Sequence, residues 1–304
     1  MCRVMAYLGT PVLLDDLLFK PDNSLVRQTY APQMLQMLNL AGFGMAAWDP
    51  ASFHPEEPFL YKVTDLPIFD GNLKNLAEKL RANCVLAHVR GVPYSVRAHV
   101  ERANIHPFRF PGFRMCLAHN GDLAEFGRMK FELLKHVRPE MALQIAGTTD
   151  SEWIYALLMS QMADPAADLE LKEILPAVER TLDILRGVRR KLGIATSSSV
   201  NLFLCDGNDL VATRFTFDFG FYGETVHEAN LHYLSLWFTI GRNYGFREGE
   251  WKMEGGAAGA DSVIVASEPL TQDTSTWIEV PEYSLLYVTT ERGRRRVETV
   301  PLDV

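Results

Sequence analysis

The chain has 304 residues, 47% of them hydrophobic and 22% charged. That is ordinary globular usage with enough length to bury a core, and it excludes a disordered chain. A formal net charge of −8 argues against a nucleic-acid binder, which relies on neutralising phosphates. No window approaches a membrane span of uncharged apolar residues, and the N-terminus lacks a signal-peptide pattern, so a cytoplasmic location is expected.

In chain order, short apolar runs rich in β-formers predict strands over 2–8, 43–48, 84–89, 114–119, 200–205, 210–216, 236–240, 263–266 and 285–290. Asp206-Gly207-Asn208-Asp209 reads as a hairpin turn. Apolar spacing predicts helices over 72–83 and 123–137. A third helix follows Thr149-Asp150-Ser151-Glu152, a capping-box pattern in which Thr149 and Glu152 satisfy each other's amides. A fourth covers 169–192, with Pro176 starting or kinking it and Gly193 ending it. Strands, then helices, then strands again predict packed antiparallel sheets with helices outside, an α+β architecture. The stretch 163–168 is the most linker-like, yet too short to separate domains, so one domain over 2–304 is expected.

The cysteines fit neither a zinc spacing nor a disulfide framework. Cys84, Cys116 and Cys205 lie in apolar runs and read as reduced core residues. No metal and no cofactor is expected. Cys2 differs, because it begins a strand-like run. Removal of Met1 would leave a residue with both a thiol and a free α-amine, with ordinary pKa values of about 8.5 and about 7.7–8.0. Such a residue either supplies nucleophile and base together or is an incidental cysteine at a frayed terminus, and the strand-like run that it begins speaks for an anchored one.

Four other segments carry polar chemistry. Asn120-Gly121 ends a buried strand after His119. It is either a simple turn or a pair of converging donors, the Asn side-chain amide and the Gly backbone N–H. Arg90 closes the apolar strand that contains His88. It either reaches solvent or grips a carboxylate. His106 precedes Pro107 and is extended or in a turn. Asp150 lies at a helix start, where it caps the helix or binds an ammonium group. Three further segments have plain readings. The glycines at 255–259 form a loop, the charged run 291–296 a hairpin turn, and the aromatic run 215–222 core packing or a loop wall.

Cys2, then His88-Val89-Arg90, Ile105-His106-Pro107-Phe108, His119-Asn120-Gly121 and Thr149-Asp150-Ser151-Glu152 together resemble the class II glutamine amidotransferases, a branch of the N-terminal-nucleophile hydrolases. The Met-Cys-Arg start, Gly42-Phe43-Gly44 and Val265-Ala266-Ser267-Glu268-Pro269-Leu270 resemble the free-standing bacterial subgroup, related to the ergothioneine-pathway γ-glutamyl amidohydrolase. The resemblance implies a four-layer αββα sandwich. It implies Cys2 as nucleophile, Asn120 and Gly121 as the oxyanion hole, Arg90 on the substrate α-carboxylate, Asp150 on its α-ammonium, and His106 lining that pocket.

The implied reaction cleaves glutamine or another γ-glutamyl amide through a thioester, releasing glutamate and ammonia or an amine. With the whole chain used, an ammonia acceptor would be a partner protein. The implied alternatives are an ammonia-donating glutaminase subunit and an inactive binding module for glutamine-like metabolites. The chain departs from synthase-linked members after Arg90, where Gly91-Val92-Pro93 replaces Trp-Ala-Thr, and in the charged stretch 96–103, read as a solvated loop.

Overall fold

The fold is described from a computed structural model over residues 2–34, 37–92, 100–219 and 235–304. Its strands are β1 (Arg3–Leu13), β2 (Phe43–Trp48), β3 (Phe59–Val63), β4 (Arg81–Val89), β5 (Cys116–Asp122), β6 (Ser198–Cys205), β7 (Leu210–Arg214), β8 (Thr216–Phe217), β9 (Trp237–Gly241), β10 (Asn243–Arg247), β11 (Glu250–Glu254), β12 (Ser262–Ala266), β13 (Ile278–Glu279), β14 (Ser284–Glu291) and β15 (Arg294–Pro301). Its helices are α1 (Leu14–Leu18), α2 (Gly71–Ala77), α3 (Phe126–Leu133), α4 (Pro139–Ala142), α5 (Asp150–Gln161) and α6 (Leu171–Leu192).

Two antiparallel sheets face each other. The first runs β13-β9-β12-β1-β4-β2-β3, and the second β15-β14-β7-β6-β5, with β8 added against β6. Side chains alternate along each strand, which sorts the apolar residues into layers. Val4, Ala6 and Leu8 of β1 point inward with Leu86 and Cys84 of β4, and meet Cys116, Ala118 and Phe203 of the second sheet. Met5 and Tyr7 point the other way, onto Leu17 of α1 and Leu73 of α2. The outer face of the second sheet, with Leu117, Leu202 and Leu204, packs on Leu157 of α5 and Leu182 of α6. Both faces of the central strands are therefore covered, which is why they read as continuous apolar runs. The order is the expected αββα stack. The layer over the first sheet is thin, and the β10–β11 ribbon contributes Tyr244 and Met253 to it.

Several elements differ from expectation. The helix at 72–83 ends at Ala77, because Arg81 and Ala82 pair with Leu13 and Val12 of β1 instead. Its start is set by Asp70, whose carboxylate accepts from the Asn72 and Leu73 amides at 3.1 Å. The helix at 123–137 narrows to α3 followed by a single 3₁₀ turn. α6 runs unbroken through Pro176, and Gly193, at φ 65°, closes it. β3, β10, β11, β13 and β15 were not expected. β15 alternates exposed and half-buried residues and carries three arginines, so it has little apolar signal. The β10–β11 turn uses Glu248 and Gly249, both at positive φ, in place of the usual Asn-Gly. The run 291–296 is the hairpin between β14 and β15, with Glu291 opposite Arg294. The readings of 96–103 and 215–222 lie partly outside the described residues.

Candidate active site

The site lies at one end of the layer between the sheets, where three strands stop close together. β1 begins just after Cys2, β4 ends just before Arg90, and β5 carries Asn120 and Gly121 near its end. Antiparallel pairing brings Arg3 opposite Val89, so Cys2 and Arg90 are neighbours across the β1–β4 ladder. The sequence-predicted residues Cys2, Arg90 and Asp150 lie within electrostatic range of one another.

Cys2 is buried, with its thiol against Gly91, whose N–H donates to Sγ at 3.5 Å. Burial pushes the thiol pKa up, while the Gly91 N–H and the Arg90 guanidinium oppose this. Burial likewise lowers the Arg90 pKa, against the pull of Cys2 and Asp150. The Arg90 backbone is fixed on both sides, its N–H donating to the Gly42 carbonyl at 2.8 Å and its carbonyl accepting from Ala41 at 2.9 Å.

Asn120 is fully buried, yet neither its amide oxygen nor its amide nitrogen has a hydrogen-bond partner. An unpaired buried amide is costly, commonly about 1–3 kcal/mol, and is expected where a ligand completes it. Gly121 has no alternative at its position, since a Cβ would collide with the Ser199 carbonyl and the His119 ring. His119 sits between those elements, with Nδ1 3.0 Å from Ser151 Oγ and Nε2 3.1 Å from the Ser199 carbonyl. The carbonyl accepts only, so Nε2 carries the hydrogen, and Nδ1 shares the single Ser151 hydroxyl proton with Asp150 Oδ1, 3.3 Å from the same oxygen.

Asp150 is the first residue of α5, and Thr149 is the cap. The capping box is half formed. Thr149 Oγ1 accepts from the Glu152 amide at 3.4 Å, but the Glu152 carboxylate turns to the amides of Ala146 (3.1 Å) and Gly147 (2.6 Å). Asn104 holds this loop from the other side, its Oδ1 accepting from the Thr148 amide at 2.8 Å. One oxygen of Asp150 accepts from the Leu123 amide at 2.7 Å, tying α5 to the chain just beyond Gly121.

His106 is buried behind the site, joined to Pro107 by a cis bond. Its ring stacks on His88, with centroids 4.0 Å apart, and none of the four ring nitrogens has a hydrogen-bond partner. Burial lowers both pKa values well below the ordinary histidine range, so both rings are neutral. Lys62, half-buried on β3, lies over Phe108 beside this pair, and burial lowers its pKa to about 8.

Asp122 carries no role in the sequence reading. It lies two residues beyond Asn120 on the same strand face, and its side chain keeps solvent exposure although protein packs close around the carboxyl. Burial, then the charge of Asp150, raises its pKa to about 6. The signal that finds it is the i, i+2 spacing from Asn120. Among the described residues no group of three or more His, Cys, Asp or Glu is arranged to hold a metal ion.

Residues 44–218 match the family profile of the class-II glutamine amidotransferases. The chain is 29% identical over 306 residues to the probable glutamine amidotransferase DUG3 of Saccharomyces cerevisiae, covering 95% of this chain and 82% of that protein. It is 26% identical over 293 residues to the gamma-glutamyl-hercynylcysteine sulfoxide hydrolase of Mycolicibacterium smegmatis, covering 95% and 96%. Among solved structures, a glutamine aminotransferase class-II domain protein from Silicibacter pomeroyi superposes with a TM-score of 0.60 at 21% identity over the whole of both chains. Glutamine phosphoribosylpyrophosphate amidotransferase from B. subtilis superposes with a TM-score of 0.56 at 15% identity, covering 98% of this chain and 49% of that one. These two likenesses establish the fold.

Proposed function

The chain belongs to the class II glutamine amidotransferases, and from that premise we propose that it hydrolyses a γ-glutamyl amide, either glutamine or a γ-glutamyl conjugate, as a single catalytic domain. The observation that carries the reading is Asn120. Its buried amide has no protein partner and lies beside a glycine that admits no side chain, at the same cleft end as Cys2. A donor pair of this kind fits the oxyanion of a tetrahedral intermediate.

The substrate head is a zwitterion, and the site has charges for both ends. Arg90 takes the α-carboxylate in a forked contact. Asp150 takes the α-ammonium with the oxygen capacity left beyond its amide contacts, and Asp122 adds a second carboxylate. His106, neutral and fixed by its stack on His88, forms an uncharged wall of the pocket.

Removal of Met1 frees the Cys2 α-amine, which accepts the thiol proton. Sγ then adds to the γ-carbonyl carbon, and the developing oxyanion is held by the Asn120 amide and the Gly121 N–H. As the carbonyl re-forms, the C–N bond breaks and the amine departs with a proton returned from the α-ammonium of Cys2. Water then attacks the thioester by the same geometry, giving glutamate and the free thiol. The two curated relatives support this class of substrate, one named a glutamine amidotransferase and the other a hydrolase of a γ-glutamyl conjugate.

The test is a glutamate-release screen across γ-glutamyl amides, glutamine included, with Cys2→Ala as control. The wild type is expected to release glutamate and the variant none, with an unchanged thermal midpoint. Equal turnover by the variant would sink the mechanism. Ammonia release from glutamine alone, stimulated by an added partner protein, would assign the chain to ammonia donation.

A further inference from the structure

A nucleophile next to a chain end has covalent support on one side only, and chain ends fray unless tied down. What ties this one down is a buried charged network. Arg3 and Glu268 are 2% and 1% exposed, and Arg3 Nε donates to Glu268 Oε2 at 2.9 Å. Arg3 Nη1 donates to the Cys2 carbonyl at 3.0 Å. The other oxygen of Glu268 is also engaged, accepting from Asn23 Nδ2 at 3.0 Å and from the Gln33 amide at 2.6 Å. Asn23 is buried as well, and its amide also donates to the Pro269 carbonyl at 2.6 Å.

Next to Glu268, Ser267 extends the β1–β12 ladder by one step. Its N–H donates to the Val4 carbonyl, and its hydroxyl accepts from the Val4 amide, both at 3.0 Å. Thus the Met-Cys-Arg start and the Ser267-Glu268-Pro269 segment, 265 residues apart at the Arg3–Glu268 contact, meet on the backbone of the nucleophile.

A buried ion pair is weak evidence for stability, because desolvation offsets most of its attraction. A role in stability alone therefore explains this network poorly. Its geometry explains more. The guanidinium is planar and rigid, so one edge locked on a carboxylate sets where its other N–H groups point. Here one of them points at the carbonyl of Cys2 itself.

We propose that Arg3 and Glu268 are positioning residues that fix the Cys2 peptide, and through it Sγ and the α-amine, against the oxyanion donors. The proposal rests on the reading of Cys2 as nucleophile. Neither residue reaches the substrate. Each acts through the backbone of Cys2.

The test pairs Arg3→Met with Glu268→Gln. The introduced side-chain amide keeps an acceptor for Asn23 and Gln33, and no lone charge is left buried. The pair variant is expected to fold with a thermal midpoint near that of the wild type. Its kcat for glutamate release is expected to fall about 100-fold, as a displacement on the order of 1 Å would give, with KM within about threefold. Arg3→Lys keeps the charge but not the fork, and is expected to fall between wild type and the pair variant in kcat. Wild-type kcat in a folded pair variant would overturn the proposal. So would a partly folded pair variant whose activity per folded molecule equals that of the wild type.

If the pair variant does not fold, Arg3→Lys decides alone: reduced kcat at unchanged KM supports positioning, and wild-type kcat overturns it. The rate at which iodoacetamide modifies Cys2 separates this proposal from the reading of the site. A wild type that cleaves no γ-glutamyl amide defeats that reading. An alkylation rate identical in wild type and pair variant defeats the clamp.

Discussion

The two ends of the layer between the sheets are built from the same strands in the same register, yet their chemistry differs. At one end, β1, β4 and β5 present Leu8, Cys84 and Cys116 to one another, and the layer is apolar. At the other end the same inward faces present Cys2, His88 with Arg90, and Asn120 with Asp122. The apolar end gains stability by taking these side chains out of water. The polar end leaves Asn120 and two histidine rings without hydrogen-bond partners. A fold can carry such a region only if the rest of the core offsets its cost, and regions of this kind mark function. The lesson is that a change of residue class along one strand face, at constant register, marks where packing gives way to chemistry.

The largest expected effect sharpens this contrast. Cys2→Ser replaces the thiol with a far weaker nucleophile, and glutamate release should fall to background with the thermal midpoint unchanged. Asn120→Leu comes next. It removes an oxyanion donor and is expected to lower kcat by about 10²–10³. It also removes a buried amide with no partner, so chemical denaturation should show stability held or raised. A large loss of stability would mean that Asn120 has a structural partner after all. Leu8→Ala, at the apolar end, should show the converse. Its cost should be about 2–5 kcal/mol in urea unfolding, with unchanged activity per folded molecule.

The Asp122 carboxyl supplies a smaller effect that depends on pH. Its pKa is raised to about 6, so it is neutral below that pH and ionised above it. Inhibition by the product glutamate should therefore weaken as pH falls through about 6. Asp122→Asn should flatten that dependence and weaken binding at pH 8. The smallest signal is chemical. In the native protein, iodoacetamide at neutral pH should modify Cys2 alone. Cys84, Cys116 and Cys205 are fully buried, whereas Cys2 keeps 8% exposure just before β1, and burial raises the Cys116 thiol to about 12. Mass spectrometry would find all four thiols labelled only after unfolding.

The central strands were legible because burial on both faces leaves an unbroken apolar run, as at Phe43–Trp48. The edge strands were not, since β15 has solvent on much of its surface and spends its positions on charge. Helix ends were legible where one local residue sets them, the Thr149 hydroxyl at the start of α5 and Gly193, at φ 65°, at the end of α6. They were not where pairing elsewhere in the chain decides, as at Arg81. The candidate site residues stood out as motifs in a fixed order, but the contacts that hold them in place did not. Nothing local to Glu268 says that it holds Arg3, and nothing local to Glu152 says that its carboxylate turns to Ala146 and Gly147. Asp122 was hidden by standing in plain view, since an aspartate after Asn-Gly reads as part of a turn until the strand is seen to continue through it.

Asp150 serves two structures at once. One oxygen fastens the start of α5 to Leu123, and on the proposed reading the carboxylate also holds the substrate ammonium. Anyone wishing to retrain this enzyme on amides without an α-amino group will meet that double duty first. Neutralising position 150 unfastens the helix as well as the ligand. A redesign would therefore begin by giving the Leu123 amide another acceptor, and only then change the charge.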